Sequence, residues 1–118
     1  MRYALLNHFD ESATAALTPE EMQASIGRFI AFTQAMAEAG ILRDAQQLTP
    51  SGTATTVRVR DGEALLHDGP YAELKESFGG WWVLEVDDLD AALSWAKKCP
   101  GAESGAVEVR PLVDLGQG

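Results

Sequence analysis

Cysteine, histidine and positive charge are all scarce in this chain, and each scarcity removes a class of function. A lone cysteine, Cys99, rules out an intrachain disulfide and fits a reducing compartment. It stands at the end of an expected helix, just before Pro100, where the negative pole of the helix dipole disfavours a thiolate; a nucleophilic role is not expected of it. Only two histidines occur, His8 and His67. Nine Lys and Arg face 18 Asp and Glu, for a formal charge of −9. Such a chain repels a phosphate backbone, which argues against direct nucleic-acid binding. No apolar run approaches the roughly 18 residues needed to cross a bilayer. The start, MRYALLNHF, has neither the longer apolar stretch nor the small-residue cleavage site of a signal peptide. It reads as an N-terminal strand of a cytoplasmic protein.

What is present suits one domain with a core of its own: 118 residues, 46% hydrophobic and 23% charged. RYALLNHF (2–9) has strand character, and DESATAAL follows as a connection. Thr18-Pro19-Glu20-Glu21 is a helix start: Thr18 can cap, Pro19 suits the first helical position, and Glu21 can reach back to close a capping box. Met22, Ile26, Phe29, Ile30, Met36 and Ala37 then form one stripe at helical spacing. Gly40 offers a left-handed stop with Ile41 packing back on Met36, so a helix is predicted over 19–39.

After a loop at Thr49-Pro50-Ser51-Gly52, TATTVRVR alternates Val57 and Val59 with Arg58 and Arg60, the pattern of a strand with one wet face. Asp61-Gly62 is a favoured two-residue hairpin turn, and 63–67 is the returning strand. A third strand over 81–86 turns Trp82, Leu84 and Val86 one way and Trp81, Val83 and Glu85 the other. Asp87 or Asp88 caps a second helix with a stripe of Leu89, Ala92, Leu93 and Ala96, which Pro100 ends. A last strand covers 106–112, and 113–118 read as a frayed tail of this single domain, 1–118.

Strand, helix, hairpin strands, strand, helix, strand is the order of a ferredoxin-like α+β sandwich, βαβ(β)βαβ, with both helices on one face of a four- or five-stranded sheet. Trp81 and Val83 then lie on the uncovered face. A two-fold homodimer with the sheets face to face, a dimeric α+β barrel, closes that face most simply.

The segments MRYALL, TPEE, TATTVRVRDG, DGPYAELKE, GG, LEVDDLDAALSWA and VEVRPL together make the chain resemble the YCII-related proteins, in the branch named for its DGPF motif, over about 1–112. Tyr71 stands where that branch commonly has Phe. The resemblance implies the same dimeric α+β barrel and no settled activity. For related members it implies a His-Asp pair with the His near the start of the first helix, yet the first helix here has no His. It also implies a regulatory partnership, because genes of the branch accompany those of extracytoplasmic-function sigma factors.

The densest group of special residues is HDGPYAELKESFGG, 67–80. His67 and Asp68 are the candidates for proton transfer, with Asp68 the base to test first. Asp68-Gly69-Pro70 equally satisfies ordinary turn chemistry. His8, Asp10, Tyr71, Glu73, Lys75 and Trp81 are candidates for ligand binding. Convergence of His8 and His67 with Asp10 or Glu73 would give a two-His, one-carboxylate metal site, but the spacing matches no metal motif and neither a metal nor another cofactor is expected. Gly79-Gly80 lacks the Lys-Ser/Thr of a phosphate loop and reads as a flexible entry to the sheet. The sequence therefore suggests a small-ligand-binding domain, a sensor or accessory protein. The alternatives are a lyase or isomerase using Asp68 or His67, and an interaction module for a sigma factor.

Overall fold

A computed structural model describes residues 1–116 of the chain. Its elements run β1 (Arg2–Phe9), α1 (Glu11–Ala15), α2 (Pro19–Glu38), β2 (Leu42–Gln47), a short helical turn (Ser51–Thr53), β3 (Thr55–Arg60), β4 (Glu63–Asp68), β5 (Ser77–Glu85), α3 (Leu89–Ala96), α4 (Gly101–Ser104) and β6 (Ala106–Pro111). Beyond Pro111 no regular element follows in the described residues, and the expected tail falls partly, at Gln117 and Gly118, outside them.

Four strands form one antiparallel sheet in the order β2-β5-β1-β6, while β3 and β4 pair only with each other. This is an α+β architecture whose strand order is compatible with the ferredoxin-like arrangement. The structure departs from the sequence reading in the make-up of that sheet. One of its two edge strands is β2, a segment for which no strand was expected, and the hairpin stands outside it as a separate two-stranded unit. The reason is physical. LRDAQQ holds few strand-forming residues because an edge strand packs only part of one face, and a tight turn fixes the pairing of two strands but not their docking.

The core lies on the helix side of the sheet. Tyr3 and Leu5 of β1, Trp82 and Leu84 of β5, and Val86 just beyond β5 pack with Phe32 and Met36 of α2, Ala92 and Ala96 of α3, and Cys99. Burial pushes the Cys99 thiol up and keeps it protonated. The long helix α2 starts with the expected capping box: Thr18 Oγ1 accepts from the Glu21 backbone 3.1 Å away, and the Glu21 carboxylate accepts from the Thr18 backbone at 2.9 Å. It stops where Gly40 takes a φ of 76° and the Ile41 amide donates to the Met36 carbonyl.

One irregularity in β5 governs both faces of the sheet. Asn7 of β1 faces Gly80 and His8 faces Phe78, so Gly79 is an extra residue in the ladder. Without this bulge Phe78 and Trp81 would point to opposite faces. With it, both lie on the face away from the helices, their rings stacked 6.1 Å apart, in company with Leu6 and Val83. The two glycines are therefore part of the strand and not a loose approach to it. A side chain at Gly80 would bring its Cβ within 2.5 Å of the Gln46 carbonyl oxygen, and one at Gly79 would collide with the Phe9 ring.

Gly80→Ala is expected to destabilise the fold by about 1–3 kcal/mol, because the obstructing atom is backbone and cannot swing aside. Gly27→Ala, on an open stretch of α2 with nothing within 4 Å, is expected to stabilise by up to about 1 kcal/mol. Urea denaturation of the two variants beside the parent chain measures both.

Candidate functional site

The two bulge glycines leave space beneath α2. Because Gly79 and Gly80 present no side chains, the sheet lacks bulk at this point, and a cavity of about 430 Å³ opens between α2, β1, β2 and β5. Gly79, Gly80 and Ala45 form its floor, and Met22, Ile26, Phe29 and Ile30 of α2 its roof. Phe9 closes one end and Trp82 the other side. Half of the apolar stripe of α2 therefore does not reach a packed core: Ile26 and Ile30 remain 51% and 53% exposed over the cavity. The sequence shows their spacing correctly but cannot show that nothing fills the space below.

Trp82 is the most firmly held wall of this cavity. Its indole nitrogen donates to Thr33 Oγ1 at 3.0 Å, and that hydroxyl donates to the Phe29 carbonyl at 2.9 Å. The Phe29 ring lies parallel to the indole within 5°, and Phe32 meets it edge-on. An aromatic platform fixed on three sides suits a planar, apolar guest. The polar groups at the cavity are Asn7, Thr14, Ser25, Thr33, Gln34, Gln46 and Gln47, all neutral. Among the described residues no Asp, Glu, His, Lys, Arg, Cys or Tyr lines it. The Asn7 carboxamide oxygen is buried against Gly101 with no hydrogen-bond partner among the described residues, and any side chain at Gly101 would strike it.

A second, polar cleft lies at the root of the hairpin, lined by Glu11, Ser51, Gly52, Asp68, Gly69, Pro70, Glu73, Leu74 and Ser77. Glu11 organises it. Its carboxylate accepts from the Ser51 amide at 2.8 Å, from the Ser51 hydroxyl and from the Ser77 hydroxyl at 3.3 Å, and these donors, the Ser51 hydroxyl first, hold its pKa below the ordinary carboxylate range. Opposite it, the Gly69 amide donates to the Ala54 carbonyl at 2.7 Å and the Thr56 hydroxyl to the Gly69 carbonyl at 2.9 Å. The Asp68-Gly69-Pro70 segment is thus tied into the root by its backbone.

The residues singled out from sequence are dispersed over the molecule. Asp68 and Glu73 share the polar cleft, but His67 lies on the other face of the hairpin, paired across to Thr56 while Asp68 pairs to Thr55. Tyr71 is exposed with the Arg58 guanidinium 5.2 Å above its ring, and Lys75 is exposed. Asp10 caps α1, accepting from the Ser12 hydroxyl and from the Ala13 and Ser12 amides, and these donors, the hydroxyl first, lower its pKa. His8 lies on the outer sheet face, its Nε2 3.3 Å from Glu108 Oε1 and its ring 5.6 Å from that of Phe78. Trp81 is among the residues lining the cavity, while its ring lies on the same outer face as His8 and its indole nitrogen donates to Asp44 Oδ2 at 3.0 Å, the main cause of the lowered Asp44 pKa. Among the described residues no three His, Cys, Asp or Glu side chains gather closely enough to hold a metal ion. None of the described helices is long and apolar enough to cross a membrane.

The architecture defines a class: a small α+β protein with an antiparallel sheet, helices on one face and a neutral cavity under the longest helix. Within that class, residues 1–115 match the YCII-related domain, and the chain belongs to that family. It is 38% identical over 114 residues to the uncharacterized protein R00369 of Rhizobium meliloti (strain 1021), a similarity that covers 95% of this chain and 92% of that relative.

The depressed pKa of Glu11 makes the hairpin root sensitive to acid. A carboxylate whose folded pKa lies below its unfolded value stabilises the fold above the unfolded value, and that contribution is lost as pH falls through the folded one. The melting temperature is therefore expected to drop below about pH 4, and to drop less steeply in Glu11→Gln, which has no charge there to lose. Thermal melts by circular dichroism from neutral to acid pH check both.

Proposed function

We propose that the chain is a binding domain for a small, neutral, largely apolar molecule, held in the cavity between α2 and the sheet without chemical change. One observation carries this reading: the cavity combines a fixed indole wall and an aliphatic roof with neutral hydrogen-bonding groups, and no ionisable side chain lines it. Proton transfer requires a group that titrates within reach of the substrate, and no lining residue supplies one. A charged guest would lose its hydration with no counter-charge in the cavity to replace it. An uncharged ring or short chain carrying a carbonyl or amide meets both conditions, with Asn7, Gln34 or Gln46 as partner. The volume is that of a small-metabolite pocket. A sensor or accessory role follows naturally from binding of this kind.

The neutral dye N-phenyl-1-naphthylamine tests the reading. It is expected to bind saturably, with a rise in its own emission and quenching of tryptophan fluorescence. Ile26→Glu, which sets a charge at the roof, is expected to weaken that binding about tenfold or more. Asp68→Asn and His67→Gln are expected to leave it unchanged, because both residues lie outside the cavity. Absence of saturable binding, or equal loss in the Asp68 and Ile26 variants, would remove the proposal.

A further inference from the structure

The hairpin β3–β4 is the part of the molecule least accounted for by the chain itself. An isolated two-stranded ribbon is marginal in water and needs a further strand or a packed face to persist. Here β3 and β4 pair with no other strand, and the register puts Val57 opposite Leu66 and Val59 opposite Ala64 on one face. That face is bare: Val57, Val59 and Leu66 are 58%, 61% and 71% exposed. The reverse face carries Thr56, Arg58, Arg60, Glu63, Leu65 and His67, so it is polar apart from one leucine, with Arg60 directly across from Glu63. The ribbon is amphipathic in the manner of a strand pair with one side covered. The described chain measures 47 × 46 × 18 Å with a radius of gyration of 16.3 Å, whereas a compact chain of this length has about 13–14 Å. The hairpin projects.

The geometry points to the hairpin as an arm that lays its apolar face, Val57, Val59 and Leu66, on a second copy of this chain. The sheet supplies the first argument for that occupant. Its outer face carries Phe78, which is exposed, beside Leu6, Trp81 and Val83, which are partly exposed, so one molecule carries a second apolar surface that it covers only in part, and a two-fold pair covers both with no other partner. Area supplies the second. Four strands about 4.8 Å apart and six to nine residues long present on the order of 450 Å² per face. Stable interfaces take roughly 800 Å² from each partner. The arm adds about 200 Å² by the same strand spacing, bringing the total near that requirement. Charge argues against the main competitor: a chain of −9, whose arm balances its arginines with acids, is repelled by an anionic lipid surface. This inference goes beyond the cavity reading and does not depend on it; it does rest on pairing through the sheet face.

The test uses the full chain in sedimentation equilibrium, together with hydrogen exchange of the arm amides at several protein concentrations. The parent chain is expected to be a dimer at micromolar concentration, with exchange over residues 55–68 slowing as concentration rises. Val57→Asp with Leu66→Asp is expected to weaken dimerisation about 100-fold while the far-UV spectrum stays unchanged. Trp81→Glu is expected to abolish pairing. Dimerisation of the arm variant at the parent's affinity, together with arm exchange independent of concentration, would overturn the arm and leave sheet pairing intact. A monomeric parent chain would overturn both. So would arm amides that are protected only by phosphatidylglycerol vesicles, since the occupant would then be a lipid surface.

Discussion

The rest of this structure depends on the close approach of β5 to its neighbours at Gly79 and Gly80. Two residues without side chains let the strand pass the Phe9 ring and the Gln46 carbonyl at distances that no other residue could tolerate. The extra residue shifts the alternation of the strand by one. Downstream, Trp82 and Leu84 reach the core while Trp81 and Val83 face away; upstream, Phe78 is turned to join Trp81. A single local insertion thus builds an aromatic outer face and a void on the inner one. Both candidate interaction surfaces of the sheet trace to it.

The void is bordered on its inner side by residues that are tied in place. Proteins close gaps by letting side chains relax inward, and the largest side chain beside this one is tethered. Trp82 is hydrogen-bonded through Thr33 to the backbone of α2 and gripped by two phenylalanines. The helix above is fixed at both ends by its caps, and Arg28 on its exposed side pairs with Glu103 of α4. That ion pair is solvent-exposed and adds little stability, yet it links α2 to an element packed beside β1. The cavity is a consequence of rigid walls over a floor of glycines, and its neutral lining matches binding better than acid-base chemistry.

Much of this frame was legible in the sequence because it is written in local chemistry. Thr18-Pro19-Glu20-Glu21 and Gly40-Ile41 mark both ends of α2, and Asp61 and Gly62 take the positive φ values that their turn requires. The two sets of β5 followed from alternation, with Trp82, Leu84 and Val86 on one side and Trp81 and Val83 on the other. What was not legible depends on absent or distant atoms. The polar segment LRDAQQ becomes a strand only because β5 offers it a partner. The cavity arises where side chains are missing, so the stripe Met22-Ile26-Phe29-Ile30 looked the same as one buried along its whole length. The group at 67–80 drew attention through its density of functional residue types, but its turns and strand alternation send His67, Asp68, Tyr71 and Lys75 in different directions.

Where the hairpin joins the frame, the two ends of the inserted segment are neighbours. The Leu48 amide, directly after β2, donates to the Gly79 carbonyl at 2.8 Å, so residues 49–76 leave and re-enter the sheet at one point. A tight turn would have sufficed to connect β2 with β5. The loop-closure cost of a long excursion grows only logarithmically with its length, about 0.6 kcal/mol per doubling. The frame and its cavity are therefore nearly indifferent to what is threaded between those two strands. Sequence change can accumulate there, lengthening, shortening or recharging the projection, while the sheet underneath stays the same. In such a design the projecting segment is free to vary while the scaffold is held.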